Sequence, residues 1–238
     1  EGTPHLIKSA RTALDDHLFH RVSGVVASET VIAHVRKATQ GENSILNCHP
    51  FQHGRWVFAH NGDIPNFDRT KGALLARVAP ALRRFVLGDT DSEVVWLLFL
   101  SELMRYGPLD REPALADVME ALAGTVRLVR ELCDDDQHRA LLTMIVTNGR
   151  NLAALRSGKE LYWSSYKTRC SERDTCPSKD DSCEAPSTTG FVNHLVVSSE
   201  PLEGENVWLE LAEDSMVGVD GRMQMRTRAV HQPLPVLN

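Results

Sequence analysis

Three groups of polar residues stand where strands and helices should end: His34, Arg36 and Thr39; His60, Asn61 and Gly62; and Asp91. A guanidinium can grip a carboxylate through two parallel N–H donors. A carboxylate at a helix start can hold a cation or simply complement the helix dipole. An Asn-Gly pair is either a tight hairpin turn or a pair of N–H donors placed for chemistry at a strand's end. Singly, each has an ordinary structural role: Arg36 in a surface ion pair, Asp91 at a helix N-terminus, Asn61-Gly62 in a turn. The elements that carry them decide whether they meet.

ETVIAHVRKAT alternates cleanly, with Val31, Ala33 and Val35 on one face and Ile32, His34 and Arg36 on the other. The alternation predicts a strand. A polar, turn-rich loop follows over 40–50, and a second strand is expected over 55–59, ending at His60-Asn61-Gly62. Thr90-Asp91-Ser92-Glu93 then reads as a capping box before VVWLLFLSELMRY, a helix apolar almost all round and therefore sandwiched. Leu115, Val118, Met119, Leu122, Val126, Val129 and Leu132 give the next helix one apolar stripe. Thereafter the period becomes that of strands: a hairpin in RALLTMIVTNGRNLAALRS with Asn148-Gly149 as a two-residue turn, then ELYWSSY, HLVVSSEPL, VWLEL and a hairpin around Asp220-Gly221. Upstream, HLIKS suggests a short strand and ARTALDDHLFHRV a polar helix. Strands, helices and strands again predict an α+β fold with antiparallel sheets.

The 238 residues are 42% hydrophobic and 24% charged, enough to bury a sizeable core. A net charge of −6 and a pI near 5.9 argue against nucleic acid and anionic membranes as partners. No run approaches the ~18 apolar residues of a membrane span. Five cysteines, none in a CxxC pair, suit a reducing compartment, and the cytoplasm is the expected location. A homo-oligomer is compatible with all of this. The stretch 167–190 is polar and rich in Ser, Asp and Pro, and is expected to be a surface insertion, even a disordered one. Its Cys170, Cys176 and Cys183 are too few and too widely spaced for a zinc site. Cys48, His49, His53 and His60 make a second weak zinc pattern, since Pro50 and Gly54 forbid the helix that would align the histidines. No metal is expected.

Four ordered blocks, VIAHVRKATQG, NCHPF, FAHNGDI and GDTDSE, resemble the class II glutamine amidotransferases, N-terminal-nucleophile hydrolases that cut the side-chain amide of glutamine. The likeness leans toward the stand-alone branch acting on γ-glutamyl amides in thiol metabolism, and LVVSSEPL followed by VWLEL resembles that branch too. The resemblance implies a four-layer αββα sandwich, one domain over 1–238 lacking its first strands, with 167–190 as an insertion. It implies that Arg36 binds the α-carboxylate of glutamine or a γ-glutamyl small molecule and Asp91 the α-ammonium, with Thr39, His34 and His60 on the substrate side. It implies Asn61 and Gly62 as the oxyanion hole, with no metal or organic cofactor.

One departure matters. The family's nucleophile is a cysteine at the mature N-terminus, whose own α-amine, with a pKa of about 8, serves as base. This sequence starts at Glu1, and no cysteine precedes Cys48. Cys48 is a poor substitute: it lacks the amine base, and its neighbour His49 should point to the opposite face of an extended segment. Two expectations follow: an N-terminally shortened piece of an active amide hydrolase, or an inactive γ-glutamyl-binding or partner module.

Overall fold

The computed structural model describes residues 3–35 and 44–232. Its longest strand, β2 (Trp56–Asp63), is built by period two: Trp56, Phe58, His60 and Gly62 face one side, Val57, Ala59, Asn61 and Asp63 the other. It pairs with β1 (Phe51–His53) through a two-residue turn at Gly54-Arg55, where φ of +57° at Gly54 suits glycine. On its other edge lies β3 (Leu141–Thr147), followed by β4 (Leu152–Arg156), β8 (Ser215–Val219) and β9 (Met225–Ala229). Together they form one antiparallel six-stranded sheet, ordered β1-β2-β3-β4-β8-β9. Three short strands, β5 (Tyr162–Ser164), β6 (Val196–Ser198) and β7 (Leu209–Glu210), make a second antiparallel sheet, ordered β6-β5-β7.

Helices α2 (Phe67–Arg77), α3 (Asp91–Leu103) and α4 (Leu115–Cys133) cover one face of the large sheet. Phe58, Leu142, Met144, Val146 and Met216 from the strands join Val95, Leu98, Phe99, Val118, Leu122 and Val126 from the helices in the main core. The α3 residues Val94–Leu100 are all buried, as a helix apolar on every side requires. Trp96 stacks on Phe58 with centroids 5.2 Å apart and on Phe99 at 5.8 Å, which keys α3 onto β2. Across the sheet, Ala154 and Val217 join Leu161 and Leu211, with Ile145, Trp163 and Val197 against them, so the small sheet packs on the face opposite the helices. The α+β class with two antiparallel sheets is therefore as expected. Beyond the α2–α4 layer, the described residues add only α1 (His17–Ser23), seven residues with none buried. No helix among the described residues is long and apolar enough to cross a membrane.

Several expectations fail in instructive ways. HLIKS forms no strand, and 10–22 splits into a 3₁₀ turn (Ala13–Asp15) and α1. Residues 31–35 join neither sheet, and Val31 and Val35 stand 61% and 79% exposed. The β3–β4 hairpin is real, yet its loop has four residues: Asn148 Oδ1 accepts from the N–H of Arg150 (3.0 Å) and of Asn151 (2.8 Å). Helix α2 is missed by sequence pattern because it buries only Phe67 and Leu74. The 167–190 stretch has almost no regular structure, but it is tied down. Lys167 N–H donates to Cys183 O (2.9 Å), Thr168 N–H to Glu205 O (2.8 Å) and Cys170 N–H to Glu184 Oε1 (2.7 Å).

One charged cluster clamps α4 to the sheet. Arg130 on α4 holds Asp214 with two bonds (2.6 and 3.0 Å), and Arg139 adds a third (2.7 Å). Burial alone would raise the Asp214 carboxyl, but the hydrogen bonds and charge of Arg130 outweigh it and hold the group below its usual range. A depressed folded pKa gives stability that is present above the ordinary carboxylate range and lost as pH falls through the folded value. Urea midpoints of wild type and Asp214→Asn should therefore differ at pH 7 and converge as the solution is taken below that range.

Candidate functional site

The Asn-Gly pair is no turn. Asn61 and Gly62 lie inside β2, opposite Thr143 and Leu142 of β3. Leu142 N–H donates to Ser157 O (2.6 Å) on the far side of β3. In an antiparallel ladder such donors alternate sides, so Leu142 and Gly62 form a pair without mutual hydrogen bonds. The N–H of Gly62 consequently points away from β3. It emerges on the β1 side of β2, where β1 pairs only with Trp56, Val57 and Phe58. Asn61 shares its face with Ala59 and Thr143, the side on which the small sheet packs, and is exposed. A side-chain amide and a backbone N–H thus sit together at the end of β2 that, among the described strands, β1 does not reach.

Period two sends His60 the other way, onto the helix side with Trp56 and Phe58. It is 3% exposed, with Nδ1 2.9 Å from Ser92 Oγ and Nε2 2.9 Å from Leu141 O. Both ring nitrogens thus have protein partners on the helix side of the sheet. Gly62 is needed for the same bridge: a Cβ there would collide with Leu141 O and His60 Nε2 and lie 2.7 Å from the Leu141 carbonyl carbon. We expect Gly62→Ala to lower stability by about 1–3 kcal/mol through overpacking, read as a drop in thermal midpoint.

Asp91 opens α3 and is also 3% exposed. Its Oδ2 accepts from Ile64 N–H (2.8 Å), just past β2, and its Oδ1 from Ser92 N–H (2.7 Å). The carboxylate thus ties the end of the Asn61-Gly62 strand to the start of α3. Each oxygen still has a second lone pair. Before it, Thr90 caps the helix by accepting from Glu93 N–H at 3.3 Å. The expected reciprocal half of the capping box is absent. Glu93 instead accepts from Leu87 N–H (3.0 Å) and Gly88 N–H (2.9 Å), bracing the loop that delivers Asp91. Burial pushes the Glu93 carboxyl up, against those N–H groups and the charges of Lys71 and Lys8.

Asn47 holds the same loop from outside, donating to Asp89 Oδ1 (2.6 Å) and accepting from Asp89 N–H (3.2 Å). His34 is half-buried, its ring 4.2 Å from that of His49, which packs edge-on against Phe51 at 4.8 Å. The four sequence blocks therefore meet in series: His34 on His49, Asn47 on Asp89, Ser92 on His60. Arg36 and Thr39 lie outside the described residues. Ser92 and Asn47 were not singled out from sequence. Ser92 had a signal, being next to Asp91, whereas Asn47 and Asp89 are too far apart in the chain for any local pattern.

The Cys48 thiol lies 3.3 Å from Ser9 O and 3.2 Å from Ser44 O, the setting of a structural donor. Cys133 is buried at the end of α4, and its thiol is pushed up by burial. Cys183 is buried within the 167–190 stretch, and all five cysteines are unpaired. Among the described residues, no three His, Cys, Asp or Glu side chains gather as a metal site.

Residues 8–234 match the family profile of class-II glutamine amidotransferases. A yeast protein described as "Probable glutamine amidotransferase DUG3" (Saccharomyces cerevisiae) is 32% identical over 166 residues, or 66% of this chain. The chain spans 46% of that relative's length. The glutamine–fructose-6-phosphate aminotransferase of Bacillus subtilis is 34% identical over 122 residues, covering 50% of this chain and 19% of its own. A solved glutamine aminotransferase class-II domain protein from Silicibacter pomeroyi superposes with a TM-score of 0.67 at 25% identity, covering 96% of this chain and 86% of its own. With a family match along nearly its whole length, the chain belongs to the class-II glutamine amidotransferases.

Proposed function

We propose that this site cleaves the γ-amide of glutamine or of a γ-glutamyl compound. The observation that carries the reading is the pairing of Asn61 and the Gly62 N–H at the end of β2 beyond β1, tied through the Ile64 N–H to Asp91. On this reading, Asn61 and Gly62 donate to the oxygen that becomes an oxyanion, and Asp91 takes the α-ammonium through its remaining lone pairs. Arg36 takes the α-carboxylate, with Thr39 and His34 alongside. The nucleophile is a cysteine at the mature N-terminus, as in the family; Cys48 serves carbonyls, and Cys133 and Cys183 are buried. Its thiolate attacks the γ-carbonyl, the amine leaves with a proton, and water hydrolyses the thioester to the γ-carboxylate. No metal or organic cofactor takes part. Simple hydrolysis is preferred over transfer of ammonia to a synthase, and the five unpaired thiols fit a reducing cytoplasm.

Two experiments test it. Intact mass and terminal sequencing of the protein from its source cell should show a mature chain that begins with cysteine. A mature chain beginning at Glu1 would remove the enzyme and leave a γ-glutamyl-binding module. Calorimetry with glutamine should give heat for the folded chain and far less for Arg36→Ala. No heat in either would sink the binding claim as well.

A further inference from the structure

We propose that His60 and Ser92 are positioning residues: they lock the Asn61-Gly62 strand onto Asp91 and keep the Ser92 hydroxyl turned away from that carboxylate. The inference rests on the glutamine reading above and adds to it two residues that touch no substrate.

For a neutral His60 ring, the hydrogen bonds fix the tautomer. Leu141 O can only accept, so His60 Nε2, 2.9 Å away, must carry a hydrogen. A neutral imidazole has one N–H, so Nδ1 is then an acceptor. Ser92 Oγ lies 2.9 Å from Nδ1 and supplies its single hydrogen there. The same hydroxyl oxygen is 3.3 Å from Asp91 Oδ1, and one hydrogen cannot serve both. Asp91 Oδ1 therefore receives the Ser92 backbone N–H at 2.7 Å and keeps its other lone pair for a ligand cation. Were the ring tautomer reversed, or the ring doubly protonated, the hydroxyl would swing to Asp91 and dilute its charge.

The same ring acts on the strand. Its Nε2 reaches into the space that a Cβ at position 62 would fill, next to the backbone whose N–H turns away from β3. One imidazole thus fixes the register of the two N–H donors and, through Ser92, the acceptor across from them. A buried aromatic ring held at both nitrogens has little freedom to drift, which is what a preorganised site requires.

Histidine side-chain ¹⁵N spectra of the folded chain, with His60 assigned by its loss in His60→Gln, should show the Nε2–H tautomer. The Nδ1 resonance should move in Ser92→Ala and stay close to wild type in Ser92→Thr. By calorimetry, Ser92→Ala should bind glutamine about tenfold more weakly, because the His60 ring loses the partner that holds its Nδ1 and can no longer fix the strand beside Asp91, while Ser92→Thr stays within about twofold. An Nδ1–H tautomer in the wild type, or undiminished glutamine affinity in Ser92→Ala, would overturn the inference while leaving the glutamine reading intact. Absence of glutamine binding by the wild type would be the failure of that reading, and this inference would fall with it.

Discussion

Asn61→Ala should cut glutamine hydrolysis by the native protein about 10²–10³-fold in kcat, with little change in stability. The rate term follows from geometry. The amide is exposed at the end of β2, beside a backbone N–H that the ladder turns away from β3. Removing one of two such donors leaves developing negative charge half-solvated in a site built to hold it. The stability term follows from the same exposure, since truncating a solvent-facing side chain opens no cavity. Steady-state kinetics on wild type and variant, with thermal midpoints alongside, check both halves. A fall in kcat with KM held constant is the signature of a donor used chiefly in the transition state. A variant with unchanged kcat would return Asn61-Gly62 to plain strand residues.

Asp91→Asn should damage both binding and folding. The two Asp91 oxygens each accept a backbone N–H, from Ile64 and from Ser92. An asparagine offers one oxygen and one NH₂, so one of those buried N–H groups would face another donor. An unsatisfied buried donor costs about 1–3 kcal/mol, and a denaturant midpoint should show it. Binding suffers separately, because the α-ammonium loses its counter-charge at a site 3% exposed. The loss should be about 2–5 kcal/mol, or roughly 30-fold in affinity at the least. A glutamine analogue lacking the α-amine separates the effects: wild type should discriminate strongly between the two ligands, and Asp91→Asn hardly at all. Equal discrimination by both proteins would mean that Asp91 only braces the fold.

How far the sequence anticipates the molecule depends on which force shapes each element. The stripe of Leu115, Val118, Met119 and Leu122 appears as α4, and the all-round apolar run after Asp91 is a sandwiched α3, because burial dictates both. Helix α2 escapes notice because two buried residues are too few to mark a period. The Asn61-Gly62 pair carries a strong local turn signal, yet it stays in strand because β3 offers seven partners to β2. Tertiary pairing overrides the local preference there. The burial of His60 was legible in principle, since it shares a parity with Trp56 and Phe58. The Asn47–Asp89 bonds and the service of Glu93 to Leu87 and Gly88 were not, because they join loops that only the fold brings together. Within the site, then, the residue types could be read from the chain, and the bracing around them could not.

On this reading, these elements hold a glutamine amide for hydrolysis. Glutamate and ammonia released from glutamine by the protein as isolated from its source cell test it most directly. Equal amounts of the two products should form without an added partner protein, and none once the N-terminal residue is blocked. A folded protein that binds glutamine but releases neither product would contradict it.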